Sequence, residues 1–301
     1  MTYIERGQTP EVRERRYPTI DDQYRAIVEK ILTAGERKGD PQGVGNLSCH
    51  GLVLEYDLST GELPMLGLRD LRGSRKAMAE ELFWIMSGST NVHDLNKVGV
   101  HIWDQWAEAT QDWVRQGKLP YYPEGELGPV YGKQWRALPA RDGQTYDQLG
   151  EVMRLLRTNP DSRRTAMSVW NPADNENVFI APCIRYLQFH HAQGKLGLTI
   201  VQGSADVAVG VPFDTTEYAL FLMMVARING MQPAKFQHVL VDAHIYENQI
   251  PKMHELLERG STPPATLTIE STPEDIFGFN RQDFKLSGYL PHPKMNMPVA
   301  L

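Results

Sequence analysis

The spacing of hydrophobic residues changes period along this 301-residue chain. Residues 19–35, "TIDDQYRAIVEKILTAG", set Tyr24, Ile27, Val28, Ile31 and Leu32 at helical intervals and stop at Gly35, which predicts an amphipathic helix. The stretch "GDPQGVGNLSCHGLVLEYDL" reads as a Gly-rich loop and a strand. Helices are expected over 74–88, ending at Gly88, and over 145–157. From 164 onward "RTAMSVW", "IRYLQFHH" and "KLGLTIVQGSADV" read as strands, with "AQG" as a hairpin turn between the last two. Residues 215–229, "TTEYALFLMMVARIN", are apolar nearly all round, the pattern of a helix inside a large core. "FQHVLVDAHIYENQ" predicts a strand running into a helix. Both periods together, with strands gathered in the second half, indicate a mixed α+β fold. Neither a repeat nor a low-complexity linker interrupts the pattern, so one continuous domain over residues 1–301 is expected.

Composition narrows the function. Hydrophobic residues make up 41%, enough for a sizeable core. A net charge of −6 gives no overall field for nucleic acid or an anionic membrane, although a local basic cluster can still hold a phosphate. That balance points to a small substrate. Cys49 and Cys183, the two cysteines, are too few and too far apart for a disulfide framework or a metal site, so a reducing compartment and no metal are expected. The start "MTYIERGQTPEVRERRYP" lacks the apolar core of a signal peptide, and no stretch reaches the ~20 apolar residues of a membrane span; the expectation is a cytoplasmic protein.

Several side chains carry candidate chemistry, each with a plainer alternative. Pro182 cannot donate to a sheet ladder, so it marks Cys183 as lying at the start or edge of a strand, either as a small hydrophobe or as a nucleophile. In "NPDSRR", the forks of Arg163 and Arg164 suit a phosphate or simply face solvent. His244 and Tyr246 alternate onto one strand face, placed for a sugar hydroxyl or for the core. Of Glu80 and Glu81, in an otherwise apolar helix, one can face water while the other looks inward and needs a partner or a task. Trp103, Trp106 and Trp135 offer flat surfaces for stacking or for packing. Asp214, with Glu217 three residues on, fits the N-cap and N3 positions of a capping box.

Taken in order, "EELFWIMSGSTN", "IWDQWA", "LGPVYGKQWR", "NPDSRR", "APCIRYLQF", "SADVAVGVPFD", "VDAHIYENQ", "GYLPHP" and "PVAL" resemble thymidylate synthase and its nucleotide hydroxymethylase relatives, from about residue 20 to the last residue. The resemblance implies a thymidylate synthase-like α+β subunit whose mixed sheet packs against its twin in a homodimer, with 5,10-methylenetetrahydrofolate as the one-carbon donor. Carried over, Cys183 is the nucleophile at pyrimidine C6, Glu81 the acid/base that organises water, and Tyr131 an aid in removing the C5 proton. Arg163 and Arg164 reach the phosphate of the neighbouring subunit's nucleotide, joined on the substrate by Gln202, Ser204 and Asp214, with His244 and Tyr246 on the sugar. Trp103, Trp106, Asp206, Gly210, Tyr246 and Ala300 fall to the folate, over which "PVAL" closes.

One departure bears on the substrate. After "PF", synthases resemble one another in an asparagine that donates to uracil O4 and accepts from N3–H; Asp214 stands there in this chain. An ionised carboxylate only accepts, which suits the N4 amino group of cytosine, and a helix N-terminus would favour the ionised form. Among relatives this pattern resembles the cytidylate or deoxycytidylate hydroxymethylases, in which water attacks the methylene carried by C5. CMP, as in nucleoside-antibiotic pathways, is preferred here to dCMP. Methylation of dUMP is the alternative activity, and a nucleotide- or RNA-binding homologue with weakened catalysis the alternative class. Gly203 and Pro41 stand where the family has phosphate-binding arginines, with Arg37, Lys38 and Arg185 as possible replacements, and Ile184 replaces a histidine.

Overall fold

The computed structural model describes residues 17–40 and 43–299, so Pro41 and Ala300 lie outside the described residues. Thr19 accepts from the Asp22 amide and caps α1 (Ile20–Ala34), which ends at Gly35 as its pattern predicts. Next come α2 (Arg75–Ser87), stopped by left-handed Gly88, then α3 (Val92–Lys97), α4 (Asp104–Arg115) and α5 (Tyr131–Arg136). Helix α6 (Gln148–Thr158) begins three residues later than its hydrophobic spacing predicts. Asp147 caps it by accepting from Gly150 N, and Thr145–Tyr146 is used as a strand instead. The short α7 (Pro172–Asn175) precedes α8 (Gly210–Ile228) and α9 (Ile250–Leu257).

The main sheet contains β1 (Glu36–Lys38), β2 (Asn46–Asp57), β6 (Ala166–Ser168), β7 (Ile184–Ala192), β8 (Lys195–Gln202), β9 (Ala205–Asp206) and β10 (Gln232–Tyr246). Its order is β1-β2-β10-β8-β7-β6, with β9 continuing beside β10. The β10–β8 and β10–β9 pairings are parallel and the others antiparallel, so the sheet is mixed. Three short strands, β3 (Glu62–Leu63), β11 (Ala265–Ile269) and β12 (Phe284–Ser287), form a second sheet, and β4 (Leu138–Pro139) pairs β5 (Thr145–Tyr146). Between β7 and β8, Gln193 (φ 52°) and Gly194 (φ 72°) make the tight turn read from "AQG".

One face of the main sheet, including Leu198, Ile200 and Leu240, is buried against α8, where Phe221 meets Phe189 at 5.8 Å and Trp135 at 5.0 Å. Trp135 is therefore core. On the other face Val53, Val239, Val201 and Tyr186 form one cross-strand row, with Val53 and Tyr186 exposed. Among the described residues no helix is long and apolar enough to cross a membrane.

Helix α8 corrects the expected capping box. It starts at Gly210, so Asp214 is the fifth helical residue and caps nothing; the N-cap position is Val209. Pro212 fits the first turn without losing a hydrogen bond, which lets the helix begin ahead of Asp214. The amides just before it, Ala208 N and Val209 N, donate instead to Asp206 Oδ1 at 2.9 and 3.1 Å.

Candidate active site

The start of β7, the ends of β8 and β10, and the helices α2, α4, α5 and α8 enclose a cleft of 770 Å³. It brings together Cys183, Glu81, Tyr131 and Asp214 with Gln202, Ser204, His244 and Tyr246. Trp103, Trp106, Asp206 and Gly210 line it as well. Arg163 and Arg164 do not; both are exposed at the edge of the main sheet, beside β6. Their side chains make no ion pair among the described residues.

Cys183 occupies the residue before β7, as Pro182 predicts, and its backbone N–H donates to the Tyr131 hydroxyl at 2.6 Å. Burial, with the Asp214 charge next in weight, pushes the thiol up to about 12, while the Tyr131 hydroxyl and the Arg185 charge act the other way. Glu81 looks inward and accepts from Trp103 Nε1 at 2.7 Å; burial lifts its carboxyl to about 7. Its neighbour Glu80 pairs with Arg281. The same indole that holds Glu81 lies edge-on to Tyr131, at 6.2 Å between ring centres.

Asp214 Oδ2 accepts from Gln202 Nε2 at 2.8 Å. The Gln202 carbonyl faces His238 Nε2 at 2.7 Å, and His238 Nδ1 faces Thr215 Oγ1 at 3.0 Å. Burial pushes His238 down to about 3, so the ring is neutral. A proton on Nε2 donated to Gln202 leaves Nδ1 to accept from Thr215, and this chain turns the amide N–H of Gln202 toward Asp214. Asp214 Oδ1 stays open to the cleft. Burial first, then the Glu81 charge, raises the Asp214 carboxyl to about 7, which reverses the expectation that a helix N-terminus keeps it ionised. Glu217 adds a third acid one turn along α8; it is buried, its Oε1 has no hydrogen-bond partner, and burial with Glu81 and Asp214 raises it well above the carboxylate range.

At the other end His244 packs edge-on against Tyr246, 5.0 Å between ring centres, and its Nδ1 lies 3.1 Å from the Asp242 carbonyl. Gln249 Nε2 bridges Asp206 Oδ2 at 3.1 Å and the Pro298 carbonyl at 3.0 Å, while its own carbonyl accepts from Tyr246 N. It thereby ties the acid, β10 and the C-terminal tail, whose Val299 reaches the cleft.

Residues 22–301 match the family model described as thymidylate synthase. The chain belongs to the thymidylate synthase family. A thymidylate synthase family member carries out folate-dependent one-carbon transfer to a pyrimidine nucleotide, and the family uses methylenetetrahydrofolate. Among the described residues no group of His, Cys, Asp or Glu is arranged to hold a metal.

Sequence reading missed three polar residues around this thymidylate synthase-family cleft. Glu217 was legible as an acid in an apolar helix but was assigned to a cap; His238 and Gln249 gave no local signal, because their roles depend on partners 36 and 43 residues away. Two suggested phosphate contacts are engaged elsewhere: Arg37 pairs with Glu247, and Lys38 with Asp242.

Proposed function

We propose that this family member hydroxymethylates C5 of a cytosine nucleotide, with CMP preferred to dCMP. The observation that carries the reading is Asp214: one carboxyl oxygen is held by Gln202 and the other opens on the cleft it shares with Cys183, while burial pushes the carboxyl up to about 7. A carboxyl holding one proton can donate to cytosine N3 and accept from the N4 amino group. The proton shared with N3 draws electrons from the ring and makes C6 a better target for sulfur. Uracil N3 already carries a hydrogen, so it cannot take up that proton.

Cys183 then adds to C6, and the electron pair displaced from the C5–C6 bond makes C5 nucleophilic. Binding neutralises the Asp214 charge that opposes thiolate formation, which links base recognition to the nucleophile. Tyr131, whose oxygen accepts from the Cys183 amide, keeps its own O–H to position a water that takes the C5 proton. Glu81, its carboxyl raised by burial, can hold or give up a proton at the ring. C5 would bond to the methylene of the co-substrate, and loss of the C5 proton would release tetrahydrofolate and leave an exocyclic methylene on C5. Water attacks that carbon, and the electron pair returned to the ring restores the C5–C6 double bond and expels Cys183 as thiolate.

The cleft fits a folate beside the nucleotide. Trp103 and Trp106 give apolar walls, Asp206 Oδ2 retains acceptor capacity for a pterin N–H, and Tyr246, Gly210 and the tail complete that side. The co-substrate supplies the methylene group. A homodimer completes the account: the outward row of Val53, Val239, Val201 and Tyr186 is the surface it covers, and Arg163 and Arg164, exposed beside the same sheet, reach the partner's site. The test is exchange of the C5 hydrogen with solvent in the absence of folate. The expected order is CMP, dCMP, dUMP; fastest exchange with dUMP refutes the cytosine reading.

A further inference from the structure

A cleft whose wall carries Glu81, Asp206, Asp214 and Glu217 has no Lys or Arg among the described residues that line it, yet it has to hold an anionic nucleotide. Arg185, two residues beyond the nucleophile, is a cation whose charge acts on the Cys183 thiol. Arg185 is the extra residue of a β-bulge: Ile184 pairs with Gln202 and Tyr186 with the adjacent Val201, leaving Arg185 without an opposite residue. Its carbonyl accepts from both Val169 N and Trp170 N, at 2.9 and 3.2 Å, which fixes the backbone of the bulge. Bulges re-aim the side chain they carry.

Here the side chain crosses Gly203. A Cβ built on that glycine would stand 2.5 Å from Arg185 Cδ and would overlap Nε and Cζ, so no other residue at 203 leaves the guanidinium in place. The requirement is space rather than backbone conformation, because Gly203 does not have a positive φ. The guanidinium stacks on Trp170, 4.0 Å from its ring centre. Nε is buried and has no hydrogen-bond partner, and no carboxylate among the described residues pairs with the group. Gly203 N donates to the Cys183 carbonyl at 2.8 Å, and the next residue, Ser204, lines the cleft. A stacked, unpaired fork of donors beside the nucleophile is a site for an oxyanion.

We infer that Arg185, re-aimed by the bulge across Gly203, anchors the phosphate monoester of the nucleotide within its own subunit. The assignment rests on the cleft being a pyrimidine nucleotide site and is indifferent to which base is preferred. Its charge also favours the Cys183 thiolate, so the anchor and the nucleophile are electrostatically joined.

The experiment is calorimetric titration of the intact protein with CMP, cytidine and inorganic phosphate. Arg185→Gln is expected to weaken CMP about 10- to 100-fold, the range for one charge-assisted contact, and to leave cytidine within about twofold. Inorganic phosphate should compete with CMP in the wild type and lose that competition in Arg185→Gln. Gly203→Ala, which removes no charge, should reproduce the loss, and combining it with Arg185→Gln should add little. Arg185→Ala joined to Gly203→Arg should regain most of the CMP affinity, which a folding defect would not. Equal CMP binding by wild type and Arg185→Gln, or equal loss of cytidine and CMP, overturns the assignment of Arg185 alone. Wild-type protein that binds CMP, dCMP and dUMP no better than cytidine overturns the nucleotide reading and Arg185 with it.

Discussion

Replacing Asp214 by asparagine removes an acid that the fold holds at a cost. The carboxyl sits at about 7 rather than 3.8, so between those values the native protein binds a proton that the unfolded chain releases. Native stability therefore falls as pH rises from about 4 through about 7. A shift of about three units corresponds to about 4 kcal/mol. Asp214 still meets the cleft, which reduces the effect, and about 2 kcal/mol is the expected gain for Asp214→Asn. Asparagine can present its carbonyl to Gln202 Nε2, so the contact at 2.8 Å survives and the comparison isolates charge. Urea denaturation of both proteins from pH 4.5 to 8.5 reads the result. The variant should already lead slightly at pH 4.5, pull further ahead through pH 7 and hold its full lead above pH 8. Parallel profiles would show that Asp214 has an ordinary carboxyl, and the coupling of base recognition to proton sharing would go with them.

The same substitution should lower the Cys183 pKa, since Asp214 is the largest charge opposing its thiolate; peptide-resolved iodoacetamide labelling at pH 8 should speed up several-fold at Cys183 and not at Cys49. His238→Phe leaves the buried Gln202 carbonyl unpaired and frees its amide to turn, so the CMP-to-dUMP ratio of kcat/KM should fall by about 10-fold, equivalent to about 1.4 kcal/mol, while Cys183 labelling is unchanged. A preserved ratio would remove His238 from base recognition. Gln249→Ala cuts the tie between Asp206 and the Pro298 carbonyl and should raise KM for the folate by about 10-fold, with KM for the nucleotide moving less than twofold. Equal rises in both would assign Gln249 to general stability.

Much of the architecture was legible because each signal was local. The helix spacing from Tyr24 to Leu32, the left-handed Gly88 stop and the Gln193–Gly194 turn all depend on neighbours a few residues apart. Helix α8 was misjudged at its start because Asp214 and Glu217 imitate a capping box, while the amides that needed a partner found Asp206. Cys183, Glu81, Tyr131 and Asp214 meet in one cleft while Arg163 and Arg164 stay outside it, and the protonation of the acids was not legible. Asp214, Glu81 and Glu217 owe their raised carboxyls to burial and mutual repulsion across elements that the chain brings together only on folding. Arg185 was one of three basic residues offered for the phosphate. The two others are paired with acids, and the bulge that frees the third depends on strand register.

The product formed from CMP and methylenetetrahydrofolate decides the central claim. Mass spectrometry of the nucleotide should show a gain of about 30 Da, for the CH₂O of a hydroxymethyl group added at C5. A gain of about 14 Da, for a methyl group, or a product formed from dUMP and not from CMP, would contradict it.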